Sequence, residues 1–122
     1  MKYSTFVDNA IEQDKRNKFK KTKKVESVPN EMLDFYKESD PIDVEVSIKK
    51  RIVAFFAYKN LPKIQKEYEL EEGFVFASCN GEPIYLKDGK VYTCTFGKKG
   101  AKETKLANSF DEYLGFIDNL RG

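Results

Sequence analysis

The chain contains no histidine, and this absence excludes many common catalytic mechanisms. Imidazole is the base that activates the nucleophile in Ser–His–Asp and Cys–His enzymes, so neither system can operate here. The common zinc sites are excluded as well, because two cysteines without histidine cannot complete a four-ligand shell. An enzyme would have to use Asp, Glu, Lys, Tyr or an unassisted Cys. We therefore expect no hydrolase activity, no bound zinc and no other cofactor, and an enzyme that uses the remaining side chains stays open at this point.

Long apolar segments are also absent from the sequence. No run approaches the roughly 20 apolar residues that a membrane-spanning helix needs. Residues 1–19 carry acidic side chains early and have no apolar core of the kind found in secretory signals. We therefore expect a soluble, cytoplasmic protein without a membrane partner.

Net charge gives little information about partners. The 22 basic and 20 acidic residues leave a formal charge of +2, which is too small to indicate a nucleic-acid partner by itself. A length of 122 residues corresponds to one ordinary domain. We expect a single domain over residues 1–122 that buries a core without disulfide or metal crosslinks.

Hydrophobic periodicity predicts four helices and at least five strands. Helices are predicted at residues 4–14, from Pro29 at the first helical position as far as Asp40-Pro41, at residues 60–70, and from Ser109 onward. Strands are predicted at residues 43–48 and 51–57, followed by a three-stranded meander over residues 74–96. Asn60 is expected to cap the third helix, and Ser109 with Glu112 has the pattern of a capping box. Residues 97–108 are expected to form a mobile, basic loop.

Two glycine turns predict the register of the meander. The Asp88-Gly89 turn pairs Lys87 with Lys90, Leu86 with Val91, Tyr85 with Tyr92, and Ile84 with Thr93. A turn at Asn80-Gly81 pairs Cys79 with Glu82, Ala77 with Ile84, Phe76 with Tyr85, and Val75 with Leu86. One face of the sheet is then predicted to hold Val75, Ala77, Cys79, Ile84, Leu86 and Val91. The other is predicted to hold Phe76, Ser78, Tyr85, Tyr92 and Cys94.

This register answers whether the two cysteines form a disulfide. Cys79 and Cys94 point to opposite faces, whereas a disulfide needs Cβ atoms within about 4.5 Å of each other. We expect two free, buried thiols that pack as small apolar groups. A longer, bulged loop at Asn80-Gly81 would shift the faces and weaken this argument. The aromatic face is either a second core layer or a partly open recognition surface.

The order of the motifs resembles the SUKH superfamily, which contains bacterial immunity proteins and fungal regulators of cell-wall synthesis. The resemblance is strongest over residues 70–118. It rests on Val28-Pro29, Asn80-Gly81-Glu82-Pro83-Ile84, Asp88-Gly89-Lys90-Val91-Tyr92 and Ser109-Phe110-Asp111-Glu112-Tyr113-Leu114. The resemblance implies an α+β fold, in which helices at the N-terminus, middle and C-terminus pack on a mixed or antiparallel sheet of five or six strands. It also implies no catalytic residues, and an activity that consists of binding a cognate toxin domain.

A cluster of acidic residues is the candidate partner-binding site. It comprises Glu31, Asp34, Glu38, Asp40, Asp43 and Glu45. The first three recur at spacings of three and four, so they share one side of the second helix. An acidic surface would steer the protein to the basic groove of a toxin that acts on nucleic acid. The alternative interpretation is an ordinary solvated face.

A basic segment supports a competing hypothesis. Residues 15–24 carry seven Lys or Arg side chains, with Phe19 among them. Such a segment could bind phosphates as part of a nucleic-acid-binding or regulatory module. Only one aromatic residue is interleaved and no nucleic-acid-binding motif is present, so we rank this function second. An enzyme using paired carboxylates ranks third. The oligomeric state is not predicted.

Overall fold

The chain alternates short strands and helices along its whole length. A computed structural model describes residues 2–70, 72–95 and 102–120. The helices are α1 (Ser4–Gln13), α2 (Asn30–Ser39), α3 (Leu61–Tyr68) and α4 (Phe110–Leu120), and a 3₁₀ turn at Tyr58–Asn60 precedes α3. The strands are β1 (Lys18–Lys20), β2 (Asp40–Ile42), β3 (Val44–Ile48), β4 (Arg51–Phe55), β5 (Phe74–Cys79), β6 (Glu82–Lys87), β7 (Lys90–Thr93) and β8 (Thr104–Ala107).

Two antiparallel sheets organise these strands into a single α+β domain. Strands β3 to β8 form a six-stranded sheet in which every strand pairs with its neighbours in sequence. A separate two-stranded sheet joins β1 to β2. The predicted fold class is confirmed, with the sheet purely antiparallel rather than mixed. Within the described residues, no helix is long and apolar enough to cross a membrane.

The hairpin between β6 and β7 has the predicted register at every pair. Asp88 and Gly89 both have positive φ, at 52° and 76°, as a two-residue hairpin turn requires. The meander therefore exists as predicted, although its third strand ends at Thr93, and Phe96 lies outside the described residues.

The predicted register of the preceding hairpin is wrong in its second half. Cys79 faces Glu82 and Ala77 faces Ile84 as expected, but a β-bulge then makes Val75 the partner of Tyr85 and Phe74 the partner of Leu86. The bulge exchanges the predicted faces of two residues, because residues directly opposite each other share a face. Val75 joins Tyr85, and Phe76 turns into the main core.

The main core lies on the face of the sheet that α1, α2 and α4 cover. Phe35 of α2 packs edge-on against Phe110 of α4, with ring centroids 5.0 Å apart, and Phe76 approaches Phe110 at 5.2 Å. Phe6 of α1 approaches Phe55 of β4 at the same distance. Each of these rings is at most 3% exposed. Burying Phe76 in this cluster explains why the bulge is favoured over the regular register.

Helix α3 packs on the opposite face of the sheet, beside β5. The Gln65 side chain donates to the carbonyl of Gly73 at 3.0 Å and accepts from the N–H of Val75 at 3.0 Å. Gly73 has φ of 103°, and a Cβ there would overlap the Tyr85 ring, so only glycine fits this approach. The buried Tyr85 stacks on the half-exposed Tyr92. The aromatic face therefore consists of two rings, Tyr85 and Tyr92, rather than the predicted three, and it is only partly exposed.

Several local predictions need correction. Strands β1, β2 and β8 were not predicted, and β8 occupies part of the segment expected to be a mobile loop. Residues 97–101 of that segment lie outside the described residues. Asn60 occupies the cap position of α3, but its side chain makes no capping hydrogen bond. The capping box of α4 is confirmed in a shifted form, since Ser109 accepts from the N–H of Glu112 while Glu112 accepts from the N–H of Asn108.

Candidate partner-binding surface

Helix α2 presents acidic side chains on the side opposite its buried face. Met32, Phe35 and Tyr36 are at most 1% exposed and fix the orientation of the helix. Glu31 and Asp34 are consequently exposed, and Glu38 is half-buried. The predicted arrangement of these three carboxylates on one side of α2 is confirmed.

Helix α4 adds a fourth carboxylate, Asp111, which is not among the six acidic residues predicted from the sequence. Asp111 forms an ion pair with Lys2 at 2.9 Å and accepts a hydrogen bond from the Tyr3 hydroxyl at 2.9 Å. The hydrogen bond that the Lys2 ammonium donates to Asp111, and then the negative charge of Asp111, raise the pKa of Lys2, and Asp34 and Glu38 contribute further. Asp111 therefore lies on the same side of the molecule as the α2 acids. We call Glu31, Asp34, Glu38 and Asp111 the acidic face.

The turn between β6 and β7 lies beside the acidic face. The position that a Gly89 side chain would occupy is 4.0 Å from Oε2 of Glu31. This turn also carries the exposed Asp88. Lys2 is paired with Asp111, and neither Glu31 nor Asp34 forms an ion pair with a described residue. The acidic face therefore has a net negative charge.

Asp40 does not belong to an exposed patch, and its assignment to one was wrong. It is 1% exposed. Its carboxylate accepts hydrogen bonds from the Thr22 hydroxyl at 2.7 Å and from the N–H of Tyr58 at 2.9 Å. These contacts join the basic segment, the end of α2 and the 3₁₀ turn, so Asp40 stabilises the fold. Aspartate is rarely buried unless it is paired, and its partners here lie 18 residues away in either direction, so the sequence could not indicate this role.

Asp43 and Glu45 are exposed and belong to the start of the six-stranded sheet rather than to α2 or α4. Asp43 occupies the turn between β2 and β3 with φ of 55°. Glu45 on β3 is close enough to Arg16 to contribute to the raised pKa of that guanidinium, whose main cause is the hydrogen bond with Asp14. The six predicted residues therefore divide into three on α2, one buried, and two at the start of β3.

The basic segment is anchored to the body of the protein along its length. Strand β1 pairs with β2, so Lys20 lies opposite Asp40. Phe19 packs against Phe6 with ring centroids 6.1 Å apart, and the N–H of Thr22 donates to the carbonyl of Lys37 at 3.0 Å. The seven basic side chains are exposed, but the one interleaved aromatic ring is turned inward. Phe19 is therefore not available to stack on a nucleic-acid base.

Both cysteines are free, as predicted, and half-buried rather than fully buried. Cys79 packs against the main core and lies near Tyr113 of α4. Cys94 lies near Tyr85 on the other side of the sheet. The bulge does not disturb this outcome because it occurs at Phe76, beyond the pairs that orient Cys79.

Metal-binding geometry and similarity to other proteins give no further assignment. Within residues 2–70, 72–95 and 102–120, no group of three or more Cys, Asp or Glu side chains is arranged to hold a metal ion. Comparisons of the chain with protein families, with curated proteins and with solved structures found no match.

Proposed function

We propose that the chain is a non-catalytic, SUKH-like immunity protein of the cytoplasm that neutralises a cognate toxin domain by binding it directly. The observation that supports this proposal best is the acidic face, in which α2 and the start of α4 place Asp34, Glu38 and Asp111 near a single lysine, Lys2, with Glu31 on the same side of α2. The motif order over residues 70–118 is the second line of support.

The chemistry of the acidic face matches a basic partner. A toxin that cleaves or modifies nucleic acid presents a positively charged groove to its substrate. Clustered carboxylates on an inhibitor accelerate encounter with such a groove and favour one docking orientation. Glu31 and Asp34 are exposed and unpaired within the described residues, so they are free to make these contacts.

Nucleic-acid binding is the second candidate function, favoured by the seven exposed basic side chains of residues 15–24. Two features weigh against it. Phe19 is packed against the core. Strand β1 pairs with β2, which begins with Asp40 and is followed directly by Asp43. A phosphate-binding surface would rest on the lysines alone, and its affinity would fall steeply with salt.

The test compares two charge-reversal variants that change the net charge equally. Glu31→Lys with Asp34→Lys alters the acidic face, and Asp43→Lys with Glu45→Lys alters exposed acids outside it. The probe is a candidate toxin domain, sought first in the gene that neighbours the gene for this chain, with association measured by stopped-flow at several salt concentrations. We expect the first variant to slow association by about tenfold or more at low salt, and the second by far less.

Three results would contradict the proposal. Equal effects of the two variants would attribute binding to net charge alone, and no effect of the first would remove the acidic face from the interface. The third concerns a lysine variant, Lys20→Gln with Lys21→Gln, Lys23→Gln and Lys24→Gln. Duplex DNA bound at physiological salt by the wild type but not by this variant would favour the nucleic-acid function.

A further inference from the structure

A concave pocket of about 780 Å³ lies at one end of the strands of the six-stranded sheet, on the face that α4 covers. Its floor is apolar and is formed by Ile48, Val53, Ile84, Leu106 and Tyr113. The β3–β4 turn and the β5–β6 turn both lie at this end of the sheet. Volumes of roughly 300–1,000 Å³ are typical of sites that bind small molecules.

The rim of this pocket is basic. Lys49 and Lys50 of the β3–β4 turn and Arg51, the first residue of β4, are consecutive at this end of the sheet, and all three are exposed. None forms an ion pair with a described residue. Glu82 is the acidic side chain of the lining, so the rim carries a net charge of +2 from three cations and one carboxylate.

The composition of the turn is unusual for its geometry. Lys49 has φ of 56°, in the left-handed region where Asn, Asp or Gly is the usual residue. Two other two-residue hairpin turns of the same sheet follow that rule with Asn80-Gly81 and Asp88-Gly89. The turn above the pocket instead carries consecutive cations.

We propose that this pocket binds a small anionic amphiphile, whose carboxylate contacts Lys50 and Arg51 while its apolar chain lies on the floor. The floor favours an apolar body rather than a sugar or a nucleotide. The Thr93 hydroxyl in the lining already donates to the carbonyl of Pro83 at 2.8 Å, so the neutral donors left in the lining for a polar ligand are the Asn80 amide and the Tyr113 hydroxyl. An apolar chain in such a floor is stabilised by the area it buries, and an anionic head gains from the cations.

The two cysteines provide an internal reporter for this site. Cys79 lines the pocket and Cys94 does not, although both thiols are free and half-buried. Burial raises the pKa of Cys79 overall, while the charge of the nearby Arg51 acts in the opposite direction. A ligand in the pocket should therefore shield Cys79 from a thiol reagent and leave Cys94 unaffected.

The experiment measures alkylation by iodoacetamide, a neutral reagent, in two single-cysteine proteins. Cys94→Ser reports on Cys79, and Cys79→Ser reports on Cys94. The probe is decanoate, titrated below its micelle concentration, and decanol is the uncharged comparison. We expect saturable protection of Cys79, no protection of Cys94, and at least about tenfold weaker protection by decanol.

Rim variants test the role of the cations. In the Cys94→Ser background, Arg51→Gln and Lys50→Gln should each raise the half-protecting decanoate concentration by about tenfold. Lys21→Gln, an exposed lysine outside the pocket, should leave it unchanged. Far-UV circular dichroism checks that each variant is folded, and the two rim positions are independent of each other in case one is not.

Equal protection of both cysteines would overturn the proposal, because it would indicate detergent-like binding. Protection by decanol equal to that by decanoate, or no protection of Cys79, would overturn it as well. The Glu31→Lys, Asp34→Lys variant should protect like the wild type, so this site can fail or succeed independently of the acidic face.

Discussion

Asn17 is the residue whose role differs most from its sequence context. It lies within the basic segment, yet it is 4% exposed. Its amide donates to the carbonyl of Ala10 at 2.8 Å and to that of Glu45 at 2.9 Å, and its oxygen accepts from the N–H of Glu45 at 2.9 Å. One side chain thus joins the end of α1 to β3.

We predict that Asn17→Ala lowers the free energy of unfolding by about 2–3 kcal/mol, because the partly buried N–H and carbonyl of Glu45 lose their partner and the buried amide no longer links α1 to β3. Gln13→Ala is the matched control. Gln13 makes the same pair of bonds to the backbone of Ser47, but in an exposed position. Its loss should cost about 1 kcal/mol or less, since water replaces the lost partner. Urea denaturation measures both, and equal losses would contradict the role assigned to burial.

Asp40 is a second polar residue whose role depends on its burial rather than on its residue type. Of the six predicted acidic residues it alone is buried, and two hydrogen bonds satisfy its carboxylate. The charge of Asp40 also adds to the effect of burial, which raises the pKa of the neighbouring Tyr36. Carboxylates of the same type along one stretch of chain can therefore have entirely different roles.

At the scale of elements, α4 is the best-predicted unit of the chain. Phe110, Leu114 and Ile117 follow the helical spacing and are at most 4% exposed. The same helix positions Asp111 in the acidic face and Tyr113 at the pocket. Its stability therefore supports both proposed sites.

We predict that Ser109→Ala costs about 0.5–2 kcal/mol of stability, because the N–H of Glu112 loses its acceptor. Ser109→Asp should retain most of the stability, since aspartate is an equally good cap. Leu114→Ala should cost more, about 2–5 kcal/mol, because it opens a cavity beneath the helix. Thermal and urea denaturation report all three, and a neutral Leu114→Ala would contradict the packing of α4.

At the scale of the whole molecule, one aromatic cluster joins elements from both ends of the chain. Rings of α1, α2, α4, β4 and β5 contact one another through Phe6, Phe35, Phe55, Phe76 and Phe110. No helix on this face can leave without exposing a ring of another element. The physical consequence is cooperative unfolding.

We predict a single calorimetric transition with equal calorimetric and van't Hoff enthalpies. For 122 residues the enthalpy should be roughly 85 kcal/mol near 60 °C. Phe35→Leu should lower the midpoint without splitting the transition, because Phe35 is at the centre of the cluster. Two resolved transitions, in the wild type or the variant, would indicate that one part of the chain folds separately.

The sequence by itself determined the local elements and much of the register. Helical periodicity and the Ser109 capping box located α4, and Asp88-Gly89 specified every pair of the β6–β7 hairpin. These features depend on neighbouring residues along the chain, where backbone preferences and hydrogen bonds between near neighbours decide the outcome. The same local rules placed Glu31, Asp34 and Glu38 on one side of α2.

Only the tertiary structure decided which residues share a surface. The bulge at Phe76 allows its ring to contact Phe110. Strand β1 forms because it pairs with β2, which is distant in sequence, and β8 forms, although it is poor in apolar residues, because it pairs with β7. Asp111 belongs to the acidic face because it pairs with Lys2, which lies 109 positions earlier in the chain (111 − 2). Asp40 does not belong to that face because it is buried. The physical reason is that burial and long-range pairing are properties of the packed molecule, and no local propensity encodes them.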